Sequence, residues 1–173
     1  MNTPDPTDAE LAEQEASLVF ESFTNDDAVA LGLALVEMAR TRQLAVTVDV
    51  RRAEQQVFHV ALPGTTADND AWVERKVRVV RRFEQSSYRV GCMLRRLGTS
   101  IDEAYLLDGR VFGPHGGAFP ITVRGAGVIG VVTVSGLPQR DDHEFVVEVL
   151  GQLLARSRSF AEVPVTSNCP DSL

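Results

Sequence analysis

The segment Gly113–His143, GPHGGAFPITVRGAGVIGVVTVSGLPQRDDH, constrains the fold more than any other part of the chain. A Gly/Pro-rich turn carrying His115 leads into a short strand at Ile121–Val123. A turn through Gly125 and Gly127 follows, then a longer strand at Val128–Ser135. Apolar β-branched residues bounded by glycines predict both strands, and so short a link predicts antiparallel pairing. Ser135-Gly136-Leu137-Pro138 ends the second strand, and a helix is predicted from about Asp141 to Arg156. Its two N-terminal acids and terminal arginines suit the helix dipole.

The rest of the chain repeats this grammar. A helix is predicted from Asp8 to Ser22. Thr24-Asn25-Asp26-Asp27 reads as a capping box that opens a second helix, ending near Arg42. Leu44, Val46, Val48 and Val50 alternate with Ala45, Thr47, Asp49 and Arg51, the pattern of a half-buried strand. Gln56–Leu62 returns beside it after the turn at Arg52-Ala53-Glu54, with Pro63-Gly64 as the stop. Asp68–Gln85 is helical and basic. Ser86-Ser87 interrupts it, Ser87 caps a further helix, and Gly98 stops that helix after Leu97. A short helix or turn is expected at Asp102–Leu107. The order ααββ(αα)ββα lacks alternating βαβ units. It implies an α+β fold, an antiparallel sheet with helices on its faces. One domain is expected over 8–157, between a flexible tail at 1–7 and a polar tail at 158–173.

Charge is unevenly placed. The first 27 residues hold eight acids and no Lys or Arg, which leaves 16 acidic and 17 basic residues beyond them. The formal net charge of −7 therefore belongs to the N-terminal segment. That segment is read as a solvated helix face or a partner-binding surface. Whole-chain acidity argues against nucleic-acid binding. No apolar run reaches the roughly 18 residues of a membrane span. The start, MNTPDPTDAE, has neither the basic nor the apolar region of a secretory signal. Cys92 and Cys169 form no disulfide framework, so a reducing cytoplasmic location is expected.

Candidate chemistry rests on a few anomalies. On a helical wheel from Trp72, Lys76 falls within the apolar arc between Trp72 and Val80. A lysine there must snorkel, pair with a carboxylate or meet a ligand anion. Arg75 beside it offers a second cation, while the arginine face around Arg78, Arg81 and Arg82 reads as solvated or inter-subunit surface. His143 lies on the apolar stripe of the last helix, at its first turn. There the dipole favours neutral imidazole, which could bind a metal, accept a hydrogen bond or close the core. His115 precedes Gly116-Gly117, whose backbone can approach a ligand closely and donate N–H groups. His59 reads as structural. Ser86, Ser87 and Ser135 become nucleophiles only beside a base. No GxSxG, Walker loop, HExxH or CxxC occurs, and GAGVIG at Gly125–Gly130 runs into a strand rather than a helix.

Laid out this way, the chain resembles a bacterial and fungal family of uncharacterised proteins in the haem-degrading-domain (GlcG/HbpS-like) superfamily. The matching residues are Trp72-Val-Glu-Arg75-Lys76, Arg82-Phe83 with Ser86-Ser87, His115-Gly-Gly-Ala-Phe-Pro120, and Val128–Pro138 with Asp142-His143. The resemblance implies profilin-like or PAS-like α/β/α layers and a ring-like homo-oligomer. Some members of the superfamily bind haem or corrinoids, so haem enters as the one cofactor it implies. The expected function is an oligomeric domain binding a small anionic or haem-like ligand. Its expected ligand-binding residues are Arg75, Lys76, His115, Gly116, Gly117, Phe119, Ser135 and His143. Two alternatives stand beside it. One is an enzyme on a small carbonyl or phosphorylated metabolite, with His143 as base and the Gly116-Gly117 amides as anion hole. The other is an assembly or adaptor protein.

Overall fold

A computed structural model describes residues 4–161. Its elements in chain order are α1 (Asp8–Ser17), β1 (Val19–Phe20), α2 (Asn25–Thr41), β2 (Thr47–Arg52), β3 (Gln55–Ala61), α3 (Ala67–Phe83), α4 (Ser87–Leu97), α5 (Ile101–Tyr105), β4 (Ala118–Val123), β5 (Gly127–Ser135) and α6 (Gln139–Ala161). The five strands form one sheet in the order β1-β4-β5-β2-β3. The pairs β4–β5, β5–β2 and β2–β3 are antiparallel, and β1 adds to β4 in parallel. This is the α+β sheet with helices on its faces that the element order implied. Among the described residues, no helix is long and apolar enough to cross a membrane.

Helices α2 and α6 cover one face of the sheet, and α3 covers the other. Val46, Val48, Val50, Val132 and Val134 enter the main core, where they meet Leu31 and Leu35 of α2 and Val146, Val149 and Leu150 of α6. On the α3 side, Val73, Val77 and Val80 pack over Ala118 and Val131. The alternation in β2 therefore separates two buried faces. Thr47 and Asp49 are fully buried on the face away from the main core, and Arg51 is nearly so. Arg51 joins Asp49 of its own strand to Glu74 of α3. The expected half-exposed strand is a central strand whose polar face is closed by ion pairing, as buried charge requires.

Several boundaries differ from expectation. Helix α1 stops at Ser17 rather than Ser22, because Val19 and Phe20 extend to pair with Thr122 and Val123. β-branched and aromatic residues favour that choice once a strand edge is offered. Strand β4 starts three residues early, at Ala118, and contains Pro120. The proline is tolerated because β1 pairs only with Thr122 and Val123, so nothing needs its missing N–H on that side. Ser86, not Ser87, caps α4. The capping box at Thr24 and Asp27 forms as expected. Helix α6 runs past Arg156 to Ala161, and Cys169 with the tail from residue 162 lies outside the described residues.

Candidate functional site

The link from β5 to α6 builds the site. After Ser135 the chain turns through Gly136 and Leu137, and Asp142 folds back from the first turn of α6. Its Oδ1 accepts the Leu137 N–H at 3.0 Å, and its Oδ2 accepts the Gly136 N–H at 3.4 Å. The same Oδ2 receives Lys76 Nζ at 2.8 Å, while Lys76 also donates to the Val134 carbonyl at 3.1 Å. Lys76 and Asp142 are almost fully buried. The lysine on the apolar arc of α3 therefore pairs with a carboxylate of its own chain. Burial holds Lys76 below the ordinary lysine value and raises Asp142 above the ordinary aspartate value, while their mutual attraction opposes both shifts.

Gly117 makes this closeness feasible. Its φ is +121°, and a Cβ there would sit 2.2 Å from the Val134 carbonyl oxygen and 2.8 Å from Lys76 Nζ. Only glycine lets the start of β4 lie against the ion pair. Gly116 is equally close to the beginning of α6, since a Cβ would meet the Gln139 carbonyl at 1.8 Å.

The pair forms the floor of an open cleft of about 300 Å³. Asp68, Asn69 and Trp72 of α3 make one wall; His115, Ser135, Leu137 and Gln139 contribute the rest. His115 meets Trp72 edge-on at 4.9 Å between ring centres. Burial, with help from Lys76 and Arg95, holds its imidazole below the ordinary histidine value, so it is neutral at physiological pH. Arg75 lies over the Trp72 ring, its guanidinium carbon 4.9 Å from the ring centre. An ammonium has three donors. Lys76 uses two on Val134 and Asp142, and its third is available to a ligand in the cleft it lines.

Of the eight residues expected to bind ligand, the structure brings Lys76, His115 and Ser135 to the cleft, with Gly116 and Gly117 packed behind it. Arg75 reaches its edge through Trp72. Phe119 and His143 lie elsewhere. Phe119 is in the main core. His143 is buried, with its ring 4.8 Å from that of Tyr88 and 5.9 Å from that of Phe119, and its Nε2 is 2.9 Å from Gln14 Oε1 of α1. Burial pushes its value down to about 4. Trp72, Asp68 and Asp142 were not singled out as ligand residues from the sequence. Asp142 had a signal, because a lysine on an apolar arc asks for a carboxylate. Ser87 is not a nucleophile in waiting: its hydroxyl is buried and bonded to both backbone groups of Ala118. His59 bridges Asp49 at 3.0 Å and Asp70 at 3.1 Å, beside the Arg51 network.

Haem does not fit this cleft. A porphyrin needs a deep apolar slot, whereas this cleft is open and its Trp72 and Leu137 stand among Asp68, Asn69, Ser135, Gln139 and the ion pair. The one imidazole present leans on Trp72, and His143 is sealed beneath α1. Among the described residues, no group of three or more His, Cys, Asp or Glu side chains could hold a metal ion.

Known proteins share the fold. A UPF0303 protein of Streptomyces coelicolor is 56% identical over 149 residues, 86% of this chain and 94% of the relative. The crystal structure of the Ybr137w protein superposes with a TM-score of 0.83 at 27% identity, covering 88% of this chain and 90% of that one. The crystal structure of a PduOC:heme complex superposes with a TM-score of 0.61 at 18% identity, over 77% of this chain and 94% of that one, a likeness of fold alone. The family model described as haem-degrading protein HbpS-like matches residues 23–151. On that match and on the identity to the Streptomyces relative, the chain belongs to the HbpS-like haem-degrading-protein family.

Proposed function

We propose that the chain is a non-catalytic, homo-oligomeric domain that binds a small polar ligand in the Lys76–Asp142 cleft. The observation that carries this reading is a nearly fully buried ion pair kept at the floor of an open cleft, under an indole and a neutral imidazole. Buried ion pairs contribute little to stability compared with apolar packing, so their retention fits a binding role. Perturbed titratable groups gathered in a cleft point the same way.

The charges revise the ligand class. Arg75 is laid on Trp72, and Asp142 neutralises Lys76. Asp68 adds a negative charge at the wall. A strong anion is therefore disfavoured. A neutral or zwitterionic molecule suits the site, with an oxygen for the third Lys76 donor and a donor for Asp68. Binding needs no turnover: His143, the base of the enzymatic alternative, does not line the cleft.

Two further parts of the reading concern the setting. The outer edge of β3 is unpaired among the described residues, and Leu33 of the adjoining α2 is 56% exposed. Such an edge beside apolar surface supports contact between copies of the chain. A free, buried Cys92 suits a cytoplasmic location.

Trp72 is the only tryptophan, so its fluorescence reads the cleft directly. Titration with a panel of small amino acids, hydroxy acids and polyols should give a saturable change for at least one class. No change across the panel would contradict the reading.

A further inference from the structure

The acidic N-terminal segment lies over α4 in a way the cleft does not require. Arg95 Nε donates to Asp5 at 2.7 Å, and Arg89 grips Asp8 with two nitrogens at 2.9 and 3.0 Å. Arg89 also reaches Glu15 at 2.7 Å, and Arg96 donates to the Pro6 carbonyl at 3.0 Å. Glu15 accepts the Ser86 N–H at the start of α4. Hydrogen bonds from Arg95 and Arg89 hold Asp5 and Asp8 below the ordinary aspartate value, so both are charged at neutral pH.

Apolar attachment is slight by comparison. Leu11 is the buried residue of α1, and it touches Tyr88 and Cys92 in a cluster separate from the main core. The Asp5 and Asp8 carboxylates are exposed, so their pairs are individually weak and screened by salt, while Arg89–Glu15 is more buried. A segment held mainly by them opens before the body of the domain unfolds. Beneath it lies a second, independent feature. His143 is 2% exposed, and its Nδ1 has no hydrogen-bond partner. Gln14 of α1 is what meets its other nitrogen.

We propose that Pro4–Ser17 is a detachable lid, and that the α4 face beneath it docks an acidic peptide segment of a partner protein. The lid shows the chemistry of that segment. It supplies carboxylates to Arg89 and Arg95 and one apolar anchor to the floor of Tyr88 and Cys92. A partner peptide needs the same spacing of acids around one large apolar residue.

Cys92 is fully buried under the lid and reports on its opening. In a Cys169→Ser background, its labelling by a disulfide reagent should speed up about tenfold when Asp5→Asn, Asp8→Asn and Glu15→Gln are combined. Added salt should act in the same direction on the wild-type lid. The unfolding midpoint read by Trp72 fluorescence should stay nearly unchanged. A synthetic peptide of residues 1–17 should then bind the triple variant and slow its labelling. It should fail to do so when Arg89→Gln and Arg95→Gln are added. Labelling that stays at the wild-type rate, or rises only in step with global unfolding, overturns the lid. A peptide that neither binds nor protects Cys92 overturns the docking surface.

Discussion

Lys76 and Asp142 show what a single pair of residues imposes on the domain. Removing one partner leaves the other charge buried and uncompensated, whereas replacing both with apolar groups removes the demand for charge altogether. Lys76→Met should therefore destabilise the protein by about 3–5 kcal/mol in denaturant unfolding. The double variant Lys76→Met/Asp142→Leu should recover most of that loss. If the double variant is as unstable as the single one, the pair is not the isolated unit described here. His143 makes a second prediction at this scale. Its value falls from 6.5 to about 4 in the folded protein, because burial disfavours the imidazolium. The unfolded chain binds the proton first, so stability is intact above 6.5 and drains away as pH falls toward 4. Between about pH 7.5 and about pH 5 this one group should remove about 2 kcal/mol. His143→Gln should flatten that part of the stability–pH curve, as measured by urea unfolding at each pH. An unchanged curve would mean that His143 is accessible to protons in the native state.

The elements carry a different lesson. Strand β3 is the far edge of the sheet, and α2 lies against it with Phe58 packed on Gly32. If this edge joins copies of the chain, Leu33→Glu should lower the assembly mass by light scattering while leaving the circular dichroism spectrum unchanged. An intact assembly would move the contact elsewhere. Most elements were legible in the sequence because local rules decide them. Thr24 and Asp27 announce the start of α2, and Gly98 announces the end of α4. The alternation of Val46, Val48 and Val50 sets the register of β2. What was not legible depends on partners distant in the chain. Val19 and Phe20 became a strand only because Thr122 and Val123 lie alongside. Asp49 and Arg51 were placed on the polar face of the strand, and their burial there depends on α3 and Glu74. In the site, the position of Lys76 within an apolar arc was visible, but its partner Asp142 lies 66 residues away. His115 was visible by its glycines. His143 stood out as a polar residue on an apolar stripe, and that signal does not distinguish a cleft from the underside of a helix.

At the scale of the whole molecule, the sheet divides two kinds of interior. Under α2 and α6 lies an apolar core that needs no charge. Under α3 lies a smaller apolar cluster flanked by ion pairs, Arg51 with Asp49 at one place and Lys76 with Asp142 at another. The cleft opens where this second layer meets the β5–α6 turn and brings the buried Lys76–Asp142 pair close to solvent. The acidic N-terminal segment lies on the α4 face and meets the rim of that cleft through Arg95, which holds Asp5 and donates to Gln139 at 3.4 Å. The molecule thus carries a ligand cleft and a lidded surface as neighbouring features of one fold. The cleft is the central claim, and a comparison of Trp72 fluorescence titrations tests it most directly. For the ligand class that perturbs the wild-type signal, His115→Ala should weaken the apparent affinity about tenfold or more, the loss of one well-placed polar contact. Equal affinities in wild type and His115→Ala would contradict a ligand seated between His115, Trp72 and the Lys76–Asp142 pair.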